Sequence, residues 1–159
     1  MSTIHLSETT TLTPEQYVAG LTDFGPGRSE VFSNSADDYL EVHGQGPDWA
    51  DVTEGSGGVW ERLRYDWSNL SRVVLKTTDS NTWSNDSGYT YTFPLANDGK
   101  ASVEVVIVRK GKTFKGRFLG LVLGTVGRGV LKKSFIGSIR AIEARRNATS
   151  EPRDLRPNP

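Results

Sequence analysis

Residues Lys112 to Arg146 carry one uninterrupted helical pattern, free of proline, at the end of a chain otherwise rich in strand signals. Its middle, Phe118 to Val126, is apolar on nearly every side, and such a helix is either buried in protein or in contact with lipid. That apolar stretch has nine residues, far fewer than the roughly 20 needed to span a membrane. The rest of the chain must therefore cover the helix, and its strands predict a sheet laid across it.

The strand signals begin at once. Ile4, Leu6, Glu8, Thr10 and Leu12 alternate with His5, Ser7, Thr9 and Thr11, the period of a half-buried strand. Thr13-Pro14-Glu15-Gln16 then reads as a helix start, with Thr13 as cap, Pro14 at the first position and Gln16 completing a capping box. Tyr17, Val18 and Leu21 form its apolar face, Gly25-Pro26-Gly27 stops it, and Arg28 to Phe32 predicts a second short helix. Six strand-like runs follow: Tyr39–His43, Trp49–Glu54, Val59–Trp67, Arg72–Thr78, Tyr89–Leu95 and Ala101–Val108. Short turn-rich connections, among them Asn97-Asp98-Gly99, predict an antiparallel meander. At 159 residues the chain is of single-domain size. Residues 1–146 form that domain, and 147–159, ending in Pro157-Asn158-Pro159, have little to bury and are expected to be disordered.

Charge is balanced overall but segregated. Residues 1–100 carry 15 Asp/Glu against 6 Lys/Arg, and residues 101–159 carry 4 against 13. The simplest reading is a basic helix lying against an acidic sheet rim; the alternative is a basic surface for an anionic partner. The absence of cysteine excludes disulfides, thiolate metal sites and cysteine nucleophiles. The opening residues lack the charged and apolar regions of a secretory signal, so a cytoplasmic protein is expected.

Few residues suggest chemistry. Six glycines at 116, 120, 124, 127, 129 and 137 sit in the last helix, where each costs roughly 1 kcal/mol against alanine. Close packing, cavity space or a pliable helix each gives a reason for them, and Gly127-Arg128-Gly129 is a place for a bend. Val59, Glu61, Leu63, Tyr65 and Trp67 share one strand face. Glu61 is then either a rim carboxylate paired with Lys or Arg, the favoured reading, or a cavity carboxylate able to act as general base. Tyr89, Tyr91, Phe93 and Leu95 form an aromatic wall that serves as core or as pocket lining. His5 and His43 fall opposite the aliphatic faces of their strands, and no metal site is expected.

The opening strand into Thr13-Pro14-Glu15-Gln16-Tyr17-Val18, the Tyr89–Leu95 and Asp98-Gly99-Lys100-Ala101-Ser102-Val103 hairpin, and Lys110-Gly111-Lys112 leading into the last helix resemble the SRPBCC superfamily. This superfamily includes START-like and polyketide cyclase/dehydrase-like proteins, and the resemblance covers roughly residues 3–146. It implies an α+β helix-grip fold: a curved antiparallel sheet of about seven strands around a long C-terminal helix, with two short helices after the first strand. The implied function is binding or transport of a hydrophobic small molecule or lipid between sheet and helix. The alternatives are a polyketide cyclase/dehydratase-type enzyme, with Glu61 as the one acid-base candidate, and a module that docks on anionic membrane or a partner through the basic helix. The implied ligand-binding residues are Glu61, Leu63, Tyr65, Tyr89, Tyr91, Phe93, Phe118, Leu121, Val122 and Thr125. No cofactor and no nucleic-acid partner is expected, membrane contact is peripheral, and the oligomeric state is left open.

Overall fold

The computed structural model describes residues 1–125 and 127–150. The element order is β1 (Ser2–Thr9), α1 (Pro14–Leu21), α2 (Arg28–Val31), β2 (Glu41–Gln45), β3 (Trp49–Ser56), β4 (Val59–Asp66), β5 (Arg72–Ser80), β6 (Gly88–Thr92), β7 (Ser102–Arg109), α3 (Phe114–Gly124) and α4 (Arg128–Ser150). The strands form one seven-stranded antiparallel sheet in the order β1-β7-β6-β5-β4-β3-β2. β2 to β7 follow one another as the predicted meander, and β1 closes onto β7 with Ile4 opposite Ile107. This is the helix-grip α+β architecture, with one sheet face turned toward the helices.

Local sequence explains each element. The period-two pattern of β1 buries Ile4 and Leu6 and leaves His5 exposed. At α1 the capping box forms as predicted: Thr13 Oγ1 accepts from the Gln16 amide at 3.3 Å, and the Thr13 amide donates to the Gln16 side chain at 2.8 Å. Tyr17, Val18 and Leu21 of α1 and Phe135, Ile139 and Ile142 of α4 fill the space over the sheet with Val52, Leu63, Val73 and Val103. The α4 set recurs at helical spacing, which keeps those side chains on one stripe. Glu143 fastens α4 to the β1–α1 turn by accepting from the Thr10 hydroxyl at 2.8 Å and the Thr11 amide at 3.0 Å.

Three expectations change. The C-terminal helical pattern is not one rod. It breaks after α3, where Thr125 takes φ −111° and ψ −84° and the Gly127 amide turns back to donate to the Val122 carbonyl at 2.8 Å. That bond ends α3, and the Leu131 amide donating to the Gly127 carbonyl at 2.9 Å belongs to the first turn of α4. Next, α4 runs to Ser150, four residues past the expected domain end, while 151–159 lie outside the described residues. Last, Leu95 leaves the aromatic face of β6. The strand ends at Thr92, and Leu95 is 75% exposed in the β6–β7 connection.

The glycines of the C-terminal helices divide by face. A Cβ on Gly116 would lie 2.4 Å from the Thr82 carbonyl oxygen, and one on Gly120 would lie 3.7 Å from the Trp83 ring. These two glycines let α3 press its backbone against the β5–β6 connection. A Cβ on Gly129 or Gly137 would meet nothing within 4 Å. Packing therefore explains the first pair and not the second.

Candidate functional site

A cavity of about 350 Å³ lies between the sheet and the helices. That volume falls at the lower end of small-molecule sites. Its sheet wall carries Leu6, Tyr89, Tyr91, Val105 and Ile107. Period-two alternation sets these side chains on the face turned to the helices. Leu119 of α3, Leu131 and Phe135 of α4 and Phe32 after α2 form the opposite wall. At its edge Ser33 and Ser134 share a hydrogen bond of 3.0 Å.

Two buried carboxylates interrupt this apolar lining. Glu54 on β3 and Glu61 on β4 stand directly opposite one another and are 4% and 7% exposed. Like charges in that relation destabilise a sheet unless each finds a counter-charge. Each has an arginine. Arg109, at the end of β7, donates to both oxygens of Glu61 at 2.9 and 2.8 Å. Thr77 Oγ1 and the Tyr89 hydroxyl also donate to Glu61, at 3.0 and 3.1 Å. Arg28 of α2 donates through Nε to Glu54 at 2.6 Å, with Ser35 and Tyr65 hydroxyls adding bonds of 2.8 and 2.5 Å. Both guanidinium groups are also wrapped in aromatic rings: Arg28 lies 4.6 Å from Phe24 and 4.7 Å from Phe32, and Arg109 lies 4.3 Å from Tyr89 and 5.2 Å from Trp83.

The protonation states follow from these contacts. Burial, then the Glu54 charge, pushes the Tyr65 phenol well above its ordinary value. Burial does the same to Tyr91 and Tyr17. These phenols stay protonated, and that of Tyr65 donates to Glu54. Burial alone would lower the Arg28 guanidinium, but Tyr65 and Glu54 beside it more than offset this and hold it above its ordinary value. The site thus presents apolar and aromatic walls with a fixed, neutralised polar floor. Both oxygens of each carboxylate are already engaged by donors.

Of the residues singled out from the sequence, Glu61, Tyr89 and Tyr91 line the cavity. Glu61 is paired with an arginine, but in the interior and not at the rim. Leu63 and Tyr65 lie in the adjoining small pocket beside Glu54. Phe93 packs edge-on against Tyr17 at 5.6 Å between ring centres and does not reach the cavity. Phe118 and Leu121 point away, 66% and 63% exposed, and Thr125 is exposed beside them. Val122 is half-buried and does not line the space. The reason is α3's orientation: its glycine face is turned inward, so its bulky stripe is turned out.

Sequence reasoning passed over Glu54, Arg28, Arg109 and Phe135. A signal for two of them was present. Glu54 continues the buried phase of Ala50 and Val52, and Arg109 continues that of Val103, Val105 and Ile107. A charge in phase with an aliphatic strand face is a buried charge that requires a partner. Nothing comparable marks Arg28, which follows a glycine turn in a four-residue helix.

No protein-family model and no curated protein matches the sequence. Solved structures do resemble it in shape. A START superfamily protein from Mycobacterium smegmatis superposes with a TM-score of 0.64 at 8% identity, over 89% of this chain and 99% of its own. A protein from Thermus thermophilus gives 0.64 at 15% identity, over 94% and 99%. The Zhui aromatase/cyclase from a Streptomyces species gives 0.61 at 9% identity, over 96% and 97%. No helix among the described residues is long and apolar enough to cross a membrane. At these identities the likeness speaks to architecture, and the architecture is the SRPBCC-type helix-grip fold.

Proposed function

We propose that this protein binds a small, ring-bearing hydrophobic molecule in the cavity between sheet and helices, as a carrier or receptor. The observation that carries the reading is the combination in one space of apolar and aromatic walls with the Glu61–Arg109–Tyr89 cluster. Burial of apolar ligand surface supplies the drive, roughly 25 cal/mol per Å² before the costs of association. Arg109 retains donor capacity beyond Glu61 and sets the orientation of a carbonyl or hydroxyl on the ligand. The START and aromatase/cyclase neighbours support a hydrophobic-ligand fold.

A second reading, cyclase- or dehydratase-like chemistry, has one observation in its favour: Glu61 lies in the cavity within hydrogen-bond reach of a tyrosine hydroxyl. Against it, four donors from Arg109, Tyr89 and Thr77 already engage that carboxylate. A general base needs an open lone pair directed at the substrate, so binding without turnover is the reading we adopt.

Methyl NMR with naphthol as probe tests it. The Leu6, Val105, Ile107 and Leu131 methyls are expected to shift together and saturate. Shifts confined to exposed residues, or none at all, would overturn the proposal.

A further inference from the structure

The outer face of α3 reverses the usual rule for a surface helix. Phe114, Phe118 and Leu121 recur at helical spacing and are 88%, 66% and 63% exposed, while Gly116 and Gly120 face the protein. The greasy stripe therefore meets solvent, and the residues without side chains meet the sheet. Exposed apolar residues gathered in one stripe mark an interaction surface.

Charge indicates what that surface meets. Lys115 and Arg117 flank the stripe within α3, and Arg128, Lys132 and Lys133 follow in the first two turns of α4. All five are exposed, and among the described residues none has a carboxylate within 4.0 Å. From Gly111 to Ile142 the chain contains no acidic residue at all. Other cations of the C-terminal segment are engaged: Lys112 reaches Asp79 at 3.5 Å, Arg140 and Arg145 are tied to Glu8 and Glu30, and Arg146 donates to the Thr11 carbonyl. The charge asymmetry of the sequence is thus partly answered within the molecule, and the five cations on α3 and the start of α4 are left open.

We propose that the α3 stripe and its flanking cations dock the protein onto the surface of an anionic phospholipid bilayer. Phe114, Phe118 and Leu121 enter the boundary between headgroups and acyl chains, and the five cations meet the headgroup charge. A protein partner fits less well, because lysine is depleted from the centres of protein interfaces whereas a lipid surface attracts it. Docking also places the membrane against the helix whose inner side, through Leu119, lines the cavity. The inference rests on α3 alone and does not require the cavity to be occupied.

Co-sedimentation of the full chain with lipid vesicles tests it. With vesicles of phosphatidylcholine and phosphatidylserine the protein is expected to pellet at low salt, and binding should fall about tenfold or more once the Debye length shrinks to about 3 Å at 1 M salt. The double variants Phe114→Ser/Phe118→Ser and Lys115→Glu/Arg117→Glu should each reduce partitioning by about tenfold or more. Both change exposed residues only, and an unaltered methyl NMR spectrum of the buried core residues without any probe would confirm that the fold is kept. No pelleting on anionic vesicles at low salt would overturn the proposal. So would equal binding to pure phosphatidylcholine, indifference to both double variants, or a dimer abolished by Phe118→Ser without lipid binding.

Discussion

Glu61 and Arg109 show how a single buried pair shapes this site. Forty-eight residues apart in sequence, they meet because the sheet order places β7, β6, β5 and β4 side by side. Removing one partner leaves a charge in the interior without its mate, at a cost of about 3–5 kcal/mol. Arg109→Ala and Glu61→Ala are each expected to destabilise by about that much in chemical unfolding, with the double variant less destabilised than the sum. Additive losses would mean that the two side chains act independently. Glu61 shares the phase of Leu63 and Tyr65 along β4, which raised an inward position as the alternative to the favoured rim reading. Its partner was not legible, since pairing across four strands depends on register. That register includes an irregularity between Arg62 and Leu63 where β4 meets β5.

At the scale of elements, the glycines give a paired test. In Gly116→Ala the new methyl runs into the Thr82 carbonyl, and overpacking of this kind costs about 1–3 kcal/mol. Hydrogen exchange should show the loss concentrated in α3. Gly137→Ala sits on the open side of α4 and is expected to raise stability by roughly 0.5–1 kcal/mol through helix propensity. The sequence marked these residues as unusual and could not separate them, because spacing says nothing about which helix face meets the sheet. The break between α3 and α4 was foreshadowed by Gly127-Arg128-Gly129, but its cause, the capture of the Val122 carbonyl by the Gly127 amide, belongs to the folded chain.

The β3–β4 pairing carries a pH dependence. Arg62 donates to both oxygens of Asp51 at 2.7 and 2.6 Å. These hydrogen bonds hold the Asp51 carboxyl below its ordinary 3.8. A carboxyl depressed by folding contributes stability above its unfolded value and loses that contribution as pH falls through the lower, folded value. Asp51→Asn should therefore flatten the fall of stability below about pH 4 and leave its slope near neutrality unchanged. An unchanged acid limb would show that Asp51 contributes nothing to it.

Across the whole molecule, strand count, meander order and the covering helices were all readable, because period-two alternation, turn residues and a capping box each act locally. The position of the cavity was not, because it depends on how α3 is rolled. The sequence suggested space beneath Leu121 and Thr125; the space lies beneath Leu119, Leu131 and Phe135 instead. The central claim is that this space takes up an apolar molecule. Native mass spectrometry of the purified protein tests it most directly, beside a Ser138→Phe variant that projects a ring into the cavity from the inner face of α4. The wild-type protein should retain a co-purified or added naphthol-like molecule, and the variant should not. A wild-type protein that stays bare under excess probe, or a variant that binds it equally well, would contradict the account.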